Sequence, residues 1–337
     1  MPAATPAFWQ ERGAAACCLL PLASLFSSLA ALRRLAFRRG LKTAVRLPVP
    51  VVVVGNIAVG GSGKTPVVDW LVGVLREQGF RPGIISRGYG GTEKGPCLVP
   101  AGGSAQQYGD EPLLLARLTG CPVAIGSDRP AAGALLLQAH PECNVIVSDD
   151  GMQHYRLARD IEIAVVDEAV LGNCWPLPAG PLREGVARLE GVDLVIAHGP
   201  LSAGLRERIG HERIFPMQLE GDRFRALGDV DHSVSAAYFA GRPVHAVAGI
   251  GRPERFFSQL EAMGLEVARH AFPDHHAFVP ADLDFAPGEA KIMTSKDAVK
   301  CAPFAIADCW EFPVRARIGS GAAGRILEKL SNGRQTA

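Results

Sequence analysis

Three features of the sequence predict an α/β architecture, a mostly parallel sheet with helices on both faces. VPVVVVGN (49–56) is a continuous apolar run, as expected of a parallel strand buried on both sides. A glycine-rich turn and a helical segment follow it at once. Strand-like and helix-like segments then alternate with short turns through most of the chain. With 337 residues, 48% hydrophobic and 20% charged, the chain is long enough for two domains with their own cores.

The elements can be justified in order. Residues 14–32, AAACCLLPLASLFSSLAAL, hold no formal charge over 19 positions and would extend roughly 28 Å as a helix. Pro21 and several serines weaken that stretch as a spanning segment. The following RRLAFRRGLK interleaves Arg33, Arg34, Arg38, Arg39 and Lys42 with Leu35, Ala36 and Phe37. That pattern suits an interfacial helix with basic groups at anionic headgroups; a helix docked on the domain is the alternative. A secretory signal is disfavoured, because the basic block lies after the apolar stretch. A helix is predicted over 64–78 and a strand over 82–86. Next come a helix at 111–118, a strand at 122–125, a helix at 129–139 and strands at 144–150, 161–167 and 193–198. Around 213–227 the pattern changes to period-two alternation, which predicts a hairpin or β-linker. A second β/α unit starts at PVHAVAGIG (243–251), with a helix at 253–263 and strands at 266–272 and 290–296. CWEFPVRARI (309–318) reads as a late strand able to pair with the linker.

The predicted division is therefore an N-terminal membrane-associating segment (1–46), a nucleotide-binding domain (47–210), a β-linker (211–240), a smaller α/β domain (241–305) and a return strand with tail (306–337). A formal charge of +1 gives no reason to expect a nucleic-acid partner. Nothing in the sequence calls for an obligatory protein partner. The eight cysteines include no C-x-x-C pair, so neither a zinc knuckle nor a redox pair is indicated.

GNIAVGGSGKTP (55–66) is the strongest chemical signal, lying between the buried strand and a helix. Successive N–H groups of Gly60, Gly61, Ser62, Gly63, Lys64 and Thr65 can curl around a phosphate at a helix N-terminus. Lys64 would reach the β- and γ-phosphates, and the Thr65 hydroxyl would ligate magnesium. Ala58 stands where the strict G-x-x-x-x-G-K-[ST] pattern has its first glycine. The fold expected is thus of the phosphate-loop NTPase type. ATPases that partition DNA or position proteins carry a lysine where this chain has Val59. A GTPase would need N-K-x-D, whereas TSKD (294–297) has the wrong order, so ATP is the expected nucleotide.

In VIVSDDGMQH (145–154), Asp149 and Asp150 end an apolar strand downstream of the phosphate loop. They fit a second magnesium-binding element, directly or through water; an Asp–Asp–Gly turn is the alternative. Asp110 of YGDEP could be a general base, although an Asp directly before EPLLLARL reads first as a helix N-cap. FPDHHAF (272–278) could hold a metal, form an acid–base relay or simply pack a turn. His275 could instead hydrogen-bond a catalytic carboxylate, provided the two domains face each other. SRGYGG (86–91), GSDRPAAG (126–133) and PLPAGPLRE (176–184) read individually as surface turns.

Taken together and in order, GNIAVGGSGKTP, SRGYGG, GDEP, SDR, DDGMQH, PAGPLRE, AGIGRPERFF (248–257), FPDHHAF and TSKDAVK (294–300) resemble the tetraacyldisaccharide 4′-kinase family. The resemblance runs from residue 55 to 300. It implies transfer of the γ-phosphoryl of ATP to the 4′-hydroxyl of tetraacyldisaccharide 1-phosphate, a glycolipid. It also implies Mg2+ and a place at the cytoplasmic face of the inner membrane. By this resemblance Asp110 becomes the general base, oriented by His275, in place of the cap reading. Asp149, Asp150 and Glu184 would organise magnesium beside Thr65, and Tyr89 would lie at the nucleotide. Asn56, Arg129, Gln153, His154 and Arg183 would lie near the phosphates or the lipid head group.

Overall fold

The computed structural model describes residues 6–209 and 213–335. The expected junction between nucleotide-binding domain and linker, at 210–212, lies outside the described residues, as do the first five and last two. The fold is α/β, as the sequence predicts. Its strands are β1 (Val51–Gly55), β2 (Pro82–Ser86), β3 (Cys97–Leu98), β4 (Val123–Ile125), β5 (Val145–Asp149), β6 (Ile161–Val166), β7 (Leu194–His198) and β8 (Ile214–Glu220). They continue with β9 (Arg223–Ala226), β10 (Asp229–Ser235), β11 (Val244–Ala248), β12 (Val267–Ala271), β13 (Ala290–Thr294), β14 (Cys309–Phe312) and β15 (Arg315–Ile318).

Two sheets result. The larger has the order β15-β8-β7-β6-β1-β5-β2-β4-β3, parallel except at its two edges. The smaller has the order β10-β9-β14-β13-β11-β12. In the larger sheet β1 sits between β5 and β6, with Val52 opposite Val147 and Ile161. All five residues of β1 are buried, because one apolar cluster packs on each face of the sheet. Chain order reverses around β1, so the crevice beyond the carboxyl ends of β1, β5 and β6 is where a ligand is expected.

The segment expected as a linker divides between the sheets. β8 lies beside β7 in the larger sheet, whereas β9 and β10 belong to the smaller. The late strand is likewise two strands, broken at Pro313 and Val314: β14 pairs with β13 and β9, and β15 with β8. A further helix, Ala322–Gln335, was not evident from motif reading, although Ala322, Ile326 and Leu330 recur every four residues and are buried.

At the N-terminus the expected single helix is two, Ala14–Cys18 and Leu20–Arg38, with Pro21 at the start of the second. The longer helix is long and apolar enough to cross a membrane, and only 6% of that stretch is buried against the protein. Leu22, Leu25, Phe26, Leu29, Leu32 and Leu35 are all exposed along it. The segment before it is pinned to the 172–180 loop. Trp9 Nε1 donates to Pro178 O at 2.9 Å, and Asn173 donates from Nδ2 to the carbonyls of Phe8, Glu11 and Ala179.

Candidate active site

The turn after β1 leads into the helix Lys64–Glu77. Gly63 caps that helix with φ +89°, in the left-handed region, and a Cβ there would stand 3.1 Å from Met217 Cε and 3.2 Å from His198 Nδ1. Only glycine meets both demands. Asn56 is buried, and its amide donates to Ser62 Oγ at 3.1 Å and Gly60 O at 3.4 Å. It shapes the loop from behind, while Gly60 and Gly61 lie exposed on the open side. The result is a concave backbone at a helix start, the arrangement that holds a phosphate.

Opposite the loop stand Asp149 and Asp150. Lys64 Nζ is 3.5 Å from Asp150 Oδ1, and Arg183 Nη1 is 2.9 Å from Asp150 Oδ2. Burial acts against the Asp150 charge, but Lys64 and Arg183 outweigh it and hold the carboxyl well below its usual range. Asp149 moves the other way. It is fully enclosed, and burial first, then Glu111, push its carboxyl upward. Ser86 donates to its Oδ2 at 3.1 Å. Oδ1 of each aspartate is buried without a hydrogen-bond partner. Paired, unsatisfied carboxylate oxygens beside a phosphate cradle are the hard donors that Mg2+ requires.

Glu184 is nearby but engaged. Gln153 Nε2 donates to its Oε2 at 3.1 Å and also to Asn56 O at 3.1 Å, and the Tyr155 hydroxyl donates to Oε1. Arg129 is 1% exposed, and its guanidinium donates to Gly126 O and Asp149 O, both at 3.0 Å. It buttresses the end of β5 and is turned away from solvent. His154, whose pKa burial and then Arg129 depress to about 4, lines a cavity of about 250 Å³ with Arg33, Asp128 and Arg156. This cavity lies where the Leu20–Arg38 helix meets the β5 end.

The remaining site residues come together across the two sheets. Asp110 is the first residue of the helix Asp110–Thr119, and Gly109, with φ +89°, occupies the cap position. A Cβ on Gly109 would lie 2.5 Å from Tyr89 O, so the SRGYGG loop and the helix start approach backbone to backbone. The Asp110 carboxylate accepts the Glu111 N–H at 2.9 Å through Oδ1 and also faces the smaller sheet. His275 Nδ1 lies 3.0 Å from Oδ2 and 3.2 Å from Oδ1. Burial penalises the Asp110 charge, yet the His275 hydrogen bond and the Lys296 charge prevail and lower the carboxyl to about 2. His275 itself has φ +58°, a left-handed conformation of the kind held at functional sites. The Tyr89 ring meets it edge-on at 5.4 Å.

Several contributors went unrecognised in the sequence. Lys296 lies 3.3 Å from Glu111, 3.5 Å from Asp274 and 3.9 Å from Asp110. Arg255 and Arg252, from the start of the helix Pro253–Ala262, reach across to Asp167 at the end of β6. Arg255 does so with both terminal nitrogens, at 2.5 and 3.1 Å; Arg252 stands at 3.4 Å. The segments AGIGRPERFF and TSKDAVK that carry these residues were visible as motifs, but their partners were not.

Comparison with known proteins agrees over the whole chain. The LpxK family model, tetraacyldisaccharide-1-P 4′-kinase, matches residues 15–332. A tetraacyldisaccharide 4′-kinase of Aromatoleum aromaticum is 67% identical over 332 residues, covering 98% of each chain. One from Azoarcus sp. is 67% identical over 337 residues, covering 100% of this chain and 98% of that one. The crystal structure of LpxK from Aquifex aeolicus in complex with ATP superposes with a TM-score of 0.79 at 28% identity, covering 94% of this chain and 99% of that one. By the family match over residues 15–332 and relatives 67% identical along nearly their full length, this chain belongs to the tetraacyldisaccharide-1-phosphate 4′-kinase family.

Proposed function

We propose that the crevice between the two sheets performs the family's reaction, with ATP held at residues 60–65 and the glycolipid hydroxyl presented to Asp110. The product is tetraacyldisaccharide 1-phosphate carrying a new phosphate on its 4′-oxygen, an intermediate of lipid A synthesis. The observation that carries this reading is the 3.0 Å contact between Asp110 and His275 beside the phosphate loop. Two residues 165 positions apart meet only because the sheets face each other.

Lys64 and the loop amides neutralise and orient the triphosphate, which is most of what phosphoryl transfer asks of a protein. Asp110, anionic at any physiological pH, accepts the hydroxyl proton as the new P–O bond forms and the bond to ADP breaks. Tyr89, beside His275, closes the nucleotide end of the crevice. Thr65, Asp149 and Asp150 would hold Mg2+, while Gln153 ties Glu184 to the Asn56 carbonyl behind the loop. Bound there, Mg2+ would offset charge on the phosphates. Arg183 tethers Asp150, while His154 and the basic cavity beside it suit the anionic head group. Arg129 contributes by fixing the end of β5.

The exposed Leu20–Arg38 stripe would seat the enzyme on the cytoplasmic face of the membrane. Burying one Leu or Phe is worth about 1.5–3 kcal/mol, so six such side chains suffice for firm attachment. Phosphate transfer from labelled ATP with Mg2+ to tetraacyldisaccharide 1-phosphate in detergent micelles tests the reaction. A labelled lipid is expected. Lipid-independent ATP hydrolysis without a labelled lipid would overturn it. Deleting residues 1–40 should move the protein from the membrane pellet to the supernatant; unchanged sedimentation would remove the anchor.

A further inference from the structure

Lys296 Nζ stands 3.3 Å from His275 Nε2. An ammonium carries three donors and no acceptor, so the ring nitrogen facing it must accept. The single ring proton then belongs on Nδ1, which points at both oxygens of Asp110. We propose that Lys296 is a positioning residue of the kinase, holding His275 as the neutral Nδ1–H tautomer so that Asp110 stays a free anionic proton acceptor. This rests on the general-base reading of Asp110 given above.

The surroundings of the ring show why such a group is needed. Asp110 faces it from one helix start at 3.0 Å and Asp274 from its own loop, with Oδ1 4.0 Å from Nε2, while Glu111 pairs with Lys296 at 3.3 Å. Tyr89 lies on its edge. Lys300, on the same helix as Lys296, acts on Asp110 by its charge but is paired to Asp297 at 2.7 Å. Two carboxylates beside one imidazole favour the doubly protonated ring. The Asp110 hydrogen bond indeed raises the His275 pKa above its ordinary value, and burial and then Lys296 oppose the rise. Without Lys296, Nε2 could take a second proton and share it with Asp274. Asp110 would then face an imidazolium, whose full charge lowers the basicity that proton abstraction needs.

The test is the pH dependence of kcat for the detergent-solubilised full chain as wild type, K296M and K296R. A reaction that needs the neutral ring fails as pH falls through the ring's pKa, so raising that pKa moves the acid limb upward. For K296M the limb should shift up by about one pH unit, with the KM for ATP within about twofold of wild type. K296R keeps a donor at the position and should return the limb toward wild type. A uniform loss of kcat at every pH, with the limb in place, would make the role merely structural and overturn the proposal. Imidazole 15N chemical shifts of wild type provide an answer even where K296M does not fold. A proton on Nδ1 alone near neutral pH is expected, and one on Nε2 would overturn the assignment. Full kcat in D110N would instead sink the general-base reading, whatever the limb does.

Discussion

The two halves of the crevice are built on opposite plans. The proposed nucleotide half comes from a single run, residues 55–65, stretched between one buried strand and one helix, with Asp149 ending the adjacent strand and Asp150 in the turn after it. The acceptor half draws Asp110 and Glu111 from one sheet's helices and His275, Asp274 and Lys296 from loops and helices of the other. On the proposed reading, the phosphate loop is shaped by local geometry alone, whereas the Asp110–His275 pair forms only where the two sheets meet. That separation lets binding and chemistry be perturbed independently.

The sharpest break is Lys64→Ala. Removing the cation that faces Asp150 and the phosphates should lower kcat by about 10³-fold or more; phosphotransfer near the wild-type rate would refute the loop's role. Asp110→Asn comes next, with a fall in kcat of about 10²-fold and little change in the KM for ATP. The amide can still accept from the Glu111 N–H, now 2.9 Å from Oδ1, so the fold should hold. A lower melting temperature with intact turnover would return Asp110 to a capping role.

Arg255→Ala tests the seam itself, since this arginine crosses from the smaller sheet to Asp167. About a threefold to tenfold loss of kcat is expected, together with a lower melting temperature, because Asp167 is 2% exposed and would be left with Arg252, at 3.4 Å, as its arginine partner. No kinetic effect would mean the sheets close without it. The smallest effect is on acid stability. The Asp110 carboxyl titrates near 2 in the folded chain against 3.8 ordinarily, so its contribution is complete above the higher value and lost as pH falls through the lower. That contribution is roughly 2 kcal/mol. In urea unfolding, the difference between wild type and Asp110→Asn should shrink between about pH 4 and about pH 2. A constant difference would show that the pairing with His275 does not set the carboxyl.

Legibility in the sequence followed the same divide. The phosphate loop could be read because its chemistry and its backbone constraint occupy consecutive residues. The aspartate pair could be read because it ends an apolar strand. Asp110 was ambiguous, since an acid before a helix looks the same whether it caps or catalyses; Gly109 takes the cap position with φ +89°, and the Asp110 carboxylate meets both the Glu111 N–H and His275. The Arg129 segment read by itself as a surface turn, and only the family resemblance put this residue near the phosphates or head group; Asp128 caps the helix and the guanidinium turns inward to two carbonyls. Lys296 had no readable role, because its partners at 110–111 and 274–275 are neighbours only in three dimensions.

The chain passes between the sheets twice, after β8 and before β15, and the two crossings run side by side. Glu220 pairs with Arg315, and a Cβ on Gly221 would lie 2.7 Å from Pro313 O. Two parallel straps behave like the leaf of a door hung on a pair of hinges: they bend together about one axis and resist torsion. A relative movement of the sheets would then return His275 to Asp110 along a single arc. Cutting one strap would leave the leaf attached but free to twist, so alignment would be lost before attachment.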